Sequence, residues 1–513
     1  MKILFVLSGP TAWPAFDPVI QVLSERGHTV YLTFDTAEMV DSVLDTVPVE
    51  YGPIQVLGQF PERGDDWQVI ARGLRSITDY LRYLDPQFVN AWYLRDRVAQ
   101  PLLDAAPIFR WLRKLPAFPR PVLQGILRGM RFLEAAIPGY DSLNTFLRAL
   151  DLDLVVVSPL SGLASRQTDV VKAAKALGIP VCLGLDRGDS LTATGFIHSP
   201  PDKVLVWNEL QQQEAQTLHL IPAEQVIVTG APVFDQWFNR RPTVAKRTFC
   251  QQVGLSSERP FLLFVGSTAN PLQPTAEPQF VREWIQSIRA SEDARLREVG
   301  ILIRPHPLNA SVWQDFDLAP FDNVALWPHP GTQSQQGRDR ADYFHSLYFS
   351  SVVMGIHTTA MLEAAIVGRP VQTILLSEFN ALQQGMVQFR YLMDGLVSSA
   401  ITMDEHLRQL SAALAAGHPM GLQPSEFVHR FIRPHGLEQP CAPIVADELE
   451  KIGRIGALPQ STPTLLYPVR WGLAGLGPII FRPVREDRQA IAVQAERPAQ
   501  ASEKQEQPLL GKH

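Results

Sequence analysis

Short apolar runs, each bounded by polar turns, recur along the first part of the chain and predict parallel β-strands buried on both faces. They fall at residues 3–7, 29–34, 154–158, 181–185, 203–207 and 225–229. Between them the apolar positions follow a helical period. Val19, Ile20, Val22 and Leu23 share one side of a helix over about Phe16–Arg26 that Gly27-His28 closes, and Gly178 closes another over Thr168–Leu177. After a linker from Asp235 to about Arg259 the alternation resumes, with strands expected at 261–268, 301–303, 347–354 and 371–376, and it lasts to about Gly395. Strand–helix–strand repeats of this kind build doubly wound α/β domains. The chain is therefore expected to hold an N-terminal α/β domain over 1–235 and a second over 236–456, facing each other across a cleft.

Two stretches break the pattern. From about Trp67 to Leu150 there is no convincing strand, and Trp92, Tyr93, Phe109, Trp111, Leu112, Phe118 and Phe132 alternate with charge. Between Arg95 and Arg131 stand eight basic residues (Arg95, Arg97, Arg110, Arg113, Lys114, Arg120, Arg128, Arg131) against Asp96 and Asp104. This helical insertion, about 67–150, reads either as helices on an anionic membrane surface or a lipid-linked acceptor, or as a bundle packed on its own sheet with a basic outer face. The second stretch, Leu465–Arg482, is apolar and carries Tyr467 and Trp471, while Pro468, Pro478 and its glycines argue against a regular helix. It either docks on a membrane or packs back on the body. Beyond Arg485 the composition is that of a disordered tail, so 457–513 is expected to be an arm and tail.

Composition narrows the class. At 513 residues the chain exceeds what one core supports. Its 46% apolar and 19% charged residues describe a globular protein, and a net charge of −6 argues against nucleic acid as a bulk partner. Cys182, Cys250 and Cys441 lack metal-type spacing and fit buried thiols in a reducing compartment. No run of 18 uncharged apolar residues occurs, so a cytoplasmic protein, peripheral on the membrane at most, is expected.

The most informative chemistry lies in Gly355-Ile-His-Thr-Thr-Ala-Met-Leu-Glu-Ala-Ala-Ile-Val-Gly-Arg-Pro-Val371. Gly355 permits a sharp turn after a strand, Thr358 or Thr359 can cap the following helix, and Glu363 lies one turn in. Unpaired amides at such a helix start suit a phosphate, and the carboxylate can accept from ribose hydroxyls. An ordinary βαβ unit with a polar cap would look the same. Arg304 and His306 sit where the strand 301–303 ends, and Gly266, Ser267 and Thr268 form a small-residue loop after the preceding strand.

Taken in order, Val228–Asp235, Phe261–Thr268, Ile301–Pro307, Gly355–Val371 and Phe427–Gly436 resemble the GT-B superfamily of glycosyltransferases. The likeness is to the branch holding bacterial surface-polysaccharide transferases, CDP-glycerol glycerophosphotransferases and UDP-N-acetylglucosamine 2-epimerases. It covers about residues 150–440. The resemblance implies two Rossmann-like domains across a cleft, with a last helix returning to the first domain. It also implies a nucleotide-sugar donor in the second domain and a glycan or lipid-linked acceptor in the first. On that picture His357, Thr358 and Thr359 take the donor phosphates, Glu363 the ribose, Arg304 offsets phosphate charge, and His306 meets the leaving phosphate or the base.

A transferase also needs a base on the acceptor side. Asp186 and Asp189, in the polar loop after the strand 181–185, are the candidates, with His198 a further one; capping aspartates would look alike. The epimerase pattern His-Val-Glu-Ala-Gly is absent there, where Cys182-Leu-Gly-Leu-Asp186 stands. Asp151-Leu-Asp153 precedes a strand instead of following one, Asp315-Phe-Asp317 lies in a segment without strand support, and no His/Cys/carboxylate cluster has ligand spacing, so metal-independent transfer with no cofactor is expected. A nucleotide-sugar epimerase and a non-catalytic binding protein on the same scaffold remain the alternatives.

Overall fold

Parallel pairing of strands far apart in sequence organises the chain into two sheets. The computed structural model describes residues 1–9, 12–36, 54–105, 111–112, 114–267, 275–329, 336–417, 425–460 and 463–481. The first sheet contains β1 (Lys2–Leu7), β2 (Thr29–Phe34), β3 (Ile54–Gln59), β4 (Leu154–Ser158), β5 (Val181–Gly184), β6 (Lys203–Val206) and β7 (Val226–Val228), in the order β3-β2-β1-β4-β5-β6-β7. The second contains β8 (Phe261–Val265), β9 (Gly300–Arg304), β10 (Val324–Leu326), β11 (Val352–Gly355), β12 (Val371–Ile374) and β13 (Val397–Ala400), in the order β10-β9-β8-β11-β12-β13. Every pairing is parallel, as in Phe5↔Val156 and Leu263↔Val353. Both are Rossmann-like α/β layers, as the sequence implies. The order reverses between β1 and β4 in one and between β8 and β11 in the other, so a crevice opens at the carboxyl edge of each.

The central strands are apolar throughout because helices cover both faces; Ile3–Leu7 of β1 and Phe261–Phe264 of β8 are wholly buried. The expected strand 347–354 is corrected in its first half. Residues Gln336–Phe349 are helical, and only Val352–Gly355 enters the sheet.

The insertion between β3 and β4 contains the helices Trp67–Arg82, Trp92–Ala105, Arg120–Ala136 and Asp141–Leu150. Charge pins it to the sheet. Arg75, 2% exposed, places Nη2 2.7 Å from Glu134 and Nη1 2.9 Å from Asp169, and Lys172 Nζ adds a contact to Glu134 at 3.3 Å. Burial alone would neutralise these groups, and the arginine holds both carboxyls below their usual range. Several of the insertion's basic residues bond to groups of the first domain. Arg97 donates to Ala193 O, Arg120 pairs with Asp85 at 3.2 Å, and Arg131 donates to Ile197 O at 2.9 Å. Arg128 and Lys114 are exposed, whereas Phe109, Arg110 and Arg113 lie outside the described residues.

The helix Cys441–Ile455 packs on Trp13–Glu25 of the first domain, burying Val445, Ala446 and Leu449 beside Phe16 and Leu205. Asp235 fixes its start: its carboxylate accepts from the backbone amides of Cys441 (2.9 Å) and Ala442 (2.7 Å) and pairs with Arg433 at 2.8 Å. The arm is also corrected. Leu466–Ile480 forms a regular helix against Trp67–Arg82 and Arg120–Ala136. Pro468 falls in its first turn, where an N–H has no intrahelical partner, and Pro478 in its last. Arg482 and the tail lie outside the described residues.

Candidate functional site

Three loops converge at the carboxyl edge of the second sheet, astride its reversal point. After β8, Gly266 donates its backbone N–H to Arg304 O (2.9 Å), and a Cβ on Gly266 would stand 2.8 Å from the amide nitrogen of His306. Only glycine allows this approach of the β8 and β9 loops. Ser267 is buried, donates its backbone N–H to Glu277 Oε1 (2.8 Å), and accepts at Oγ from the amide of His357 in the loop after β11 (3.4 Å). Thr268 lies outside the described residues. His306 accepts at Nδ1 from the backbone of Leu308 (3.2 Å), and burial lowers its pKa. It caps the turn that follows β9.

The helix after β11 runs only Ala360–Ile366, seven residues, with Thr359 at its N-cap position but making no side-chain cap. Thr358 Oγ1 instead accepts from Ala360 N at 3.4 Å. Glu363 on this helix accepts a short hydrogen bond from the Tyr343 hydroxyl. Burial pushes the Glu363 carboxyl up to about 7. Arg304, buried, lays its guanidinium over the Tyr343 ring at 5.1 Å from the centroid and donates to Ser346 Oγ at 3.1 Å. Arg304, Tyr343 and Glu363 thus form one connected group.

The first domain closes the other side. A Cβ on Gly188 would collide with Gln388 of the second domain, so the Asp186–Ser190 loop borders that domain. Burial lowers the pKa of His357, an effect that the Asp189 carboxylate partly offsets. Asp186 lies deeper: Ser190 Oγ donates to it at 2.7 Å, Arg187 Nε stands 3.5 Å away, and burial raises its pKa. Arg82 of the insertion, wholly buried, donates to Leu191 O at 3.0 Å and to Thr194 O, so the insertion fixes the end of this loop. Direct bonds between the domains flank the site, from Asn208 Nδ2 to Phe431 O (2.9 Å) and from Arg390 to Gln87 O (3.1 Å).

The third candidate, His198, is 2% exposed, with Nε2 3.0 Å from Asp79 Oδ1, a carboxylate that accepts from the amides of Ala164 and Phe196. Asp79 and the neighbouring Phe196 ring both belong to the first domain.

The sequence reading passed over Glu277, Tyr343 and Ser346. Glu277, in the first turn after the β8 loop, holds Ser267, and burial pushes its carboxyl up to about 7. Its place at a helix start was a readable signal. Tyr343 and Ser346 sit on a stretch whose apolar residues hid a helix, and nothing in the sequence linked them to Arg304. No group of His, Cys, Asp and Glu suited to a metal ion occurs among the described residues, and the three cysteines are buried and free.

No protein-family model matches the chain, and no curated protein matches it. Among solved structures it is similar to the UDP-GlcNAc 2-epimerase of Methanocaldococcus jannaschii, at 12% identity over 88% of this chain and 100% of that one, with a TM-score of 0.48. It is similar to the Neisseria meningitidis UDP-GlcNAc 2-epimerase bound to UDP-GlcNAc, at 15% identity over 88% and 100%, TM-score 0.47. It is also similar to MurG of Acinetobacter baumannii, at 13% identity over 88% and 99%, TM-score 0.41. At such identities and scores these structures say nothing of what this chain binds or does.

Proposed function

We propose that the protein is a glycosyltransferase that takes a sugar from a nucleotide-activated donor bound at the second sheet and passes it to an acceptor held by the first domain. The observation that supports this reading is the joining of the Ser267 and His357 loops at the β8/β11 reversal, together with the approach of the Asp186–Ser190 loop of the first domain to Gln388 of the second. A diphosphate in that crevice has the turn after His357, at Thr358 and Thr359, on one side and Arg304 at the end of β9 on the other. Glu363 is one turn above for ribose hydroxyls. Asp189, half-buried and opposite, is the base we assign to the acceptor hydroxyl; Asp186, tied to Ser190 and Arg187, positions the loop. Transfer on this reading needs no metal: Arg304 and the backbone amides that follow His357 take up charge on the leaving diphosphate.

The acceptor is proposed to be a glycan or lipid-linked molecule at the cytoplasmic face of a membrane. Support comes from the helix Leu466–Ile480, which exposes Tyr467, Leu476, Ile479 and Trp471 (75% exposed) and carries no acidic residue. Its one charge, Arg470, is turned inward to Ala136 O (2.9 Å). An apolar helix left on the surface beside aromatic residues suits the headgroup boundary of a bilayer. No helix among the described residues is long and apolar enough to cross one. A thermal-shift screen against UDP, CMP, CDP and GDP tests the donor reading. One nucleotide at ~100 times its Kd should add ~2.7 kcal/mol of apparent stability, and silence from all four would contradict it.

A further inference from the structure

A cavity of about 610 Å³ opens at the carboxyl edge of the first sheet, where its strand order reverses between β1 and β4. Asp35, just past β2, and Ser165 and Arg166, in the loop after β4, line it, and the insertion roofs it with Arg72 and Arg75 while Arg63 closes one wall. Arg75 is neutralised by Glu134 and Asp169, as described above. Arg63 and Arg166 are incompletely used. Arg63, 5% exposed, reaches Asp65 (3.4 Å), Asp169 (3.6 Å) and Pro138 O with its terminal nitrogens and lies over the Tyr140 ring, yet its Nε is buried without a partner. Arg166 pairs through Nη1 with Glu62 (3.0 Å) and Asp35 O (2.7 Å), and its Nη2 is buried without a partner. The Ser165 hydroxyl, on a residue 5% exposed, is likewise unpartnered.

A native fold seldom leaves buried donors unmade, because each costs the desolvation of its group. Three such donors, two of them on cations, stand in the wall of one cavity beside a single orphaned acceptor, Asp35 Oδ1, and this excess of donors calls for a ligand group with several acceptor oxygens and negative charge. We propose that this cavity binds a phosphate group of the acceptor, with Arg63, Arg166 and Ser165 as its donors. The assignment deepens the transferase reading by giving the acceptor a chemical class, and it rests on that reading for the word acceptor alone; the site itself does not involve the second domain. The nearby carboxylates Glu62, Asp65 and Asp169 are each paired with an arginine of the cavity. Asp169 is held between Arg75 and Arg63, and burial keeps Asp35 protonated to about pH 7, with Gln167 Nε2 3.2 Å from its Oδ2. The other side of the roof helix carries the exposed apolar helix: Ile70 lies against Gly477 and Gly73 against Phe481. A phosphate in the cavity would therefore sit one helix thickness from a surface suited to lipid.

The test is equilibrium dialysis of the full-length protein against radiolabelled inorganic phosphate. It compares wild type with Arg166→Gln, Ser165→Ala and, as the donor-site control, Arg304→Gln. Arg166→Gln should weaken one class of phosphate site by about tenfold or more, Ser165→Ala should weaken the same class less, and Arg304→Gln should leave that class intact. Should Arg166→Gln melt below the assay temperature, Ser165→Ala reads the same pocket with a conservative change. Phosphate binding left unchanged by both pocket variants overturns the proposal, even if Arg304→Gln abolishes nucleotide binding. Loss in the pocket variants with no nucleotide binding by wild type instead supports the phosphate site and removes the transferase reading. Competition by phosphatidic acid vesicles but not by glycerol phosphate places the phosphate on a lipid headgroup, and the reverse places it on a soluble acceptor; either result supports the site.

Discussion

Replacing Glu363 by Gln should move stability and nucleotide affinity in opposite directions. The carboxyl is raised from 4.5 to about 7 by burial, with the Tyr343 hydroxyl bond pulling the other way. A folded-state pKa above the unfolded one means that the folded protein binds the proton more tightly. The stability this group supplies is complete below pH 4.5 and is lost as pH rises through 7. One proton changes the slope by ~1.4 kcal/mol per pH unit, so about 2.5 units amount to about 3 kcal/mol. Glutamine cannot ionise, and its oxygen can still accept from Tyr343. At pH 8 the variant should therefore be up to about 3 kcal/mol more stable than wild type, while at pH 4.5 the two should be alike. Asp35, Glu214 and Glu277, also raised by burial, impose slopes of their own, and these cancel in the difference between the proteins. Urea unfolding at half-unit steps from pH 4.5 to 8 reads the difference, and nucleotide titrations at pH 8 should show affinity lower by roughly tenfold through the lost ribose contact. Parallel stability profiles would refute the reasoning, because they would mean that Glu363 ionises as freely in the fold as outside it.

Other consequences are measurable in the same proteins. Arg304→Ala should weaken nucleotide binding by ~1.5–3 kcal/mol without unfolding the protein, since Tyr343 keeps Glu363; affinity equal to wild type would remove Arg304 from the donor site. Asp189→Asn should abolish turnover with donor affinity near wild type, whereas Asp186→Asn should retain measurable turnover and lower the melting temperature; the converse result would exchange their roles. Truncation after Thr464 should remove the salt-resistant part of sedimentation with anionic vesicles, because it removes Trp471 and its apolar neighbours; unchanged sedimentation would assign membrane contact elsewhere or nowhere.

The parts legible in the sequence were those that a strand buried on both faces announces. β1, β4, β8 and β9 are unbroken apolar runs, and the site residues at their carboxyl ends followed from them. β3 escaped because its residues are only half covered, and β10 and β13 because they are edge strands of three and four residues. The run at 347–354 joined the end of a helix to the start of a strand, since both are buried there and periodicity cannot part them over eight positions. The prolines of the arm mislead because Pro468 falls in the first turn, where its missing N–H costs nothing, and Pro478 stands close enough to the end that the helix loses one N–H bond and stops two residues later. His198 looked like a base in isolation. Its neighbour Asp79 is a residue of the insertion distant in sequence, and arginines of the insertion such as Arg82 and Arg131 find carbonyl partners that no local pattern announces.

The central claim is transfer from a nucleotide-bound sugar across the cleft. The most direct measurement is release of free nucleotide by the full-length protein, supplied with the nucleotide-sugar matching the base that stabilises it and with membrane extract as acceptor source. Wild type should release nucleotide in proportion to extract and move labelled sugar into the acceptor fraction, while Asp189→Asn binds the donor and releases none. Nucleotide-sugar turnover without extract, with the label staying on the nucleotide as an isomer, would contradict transfer and make the protein an epimerase. Binding with neither outcome would leave a scaffold without the chemistry.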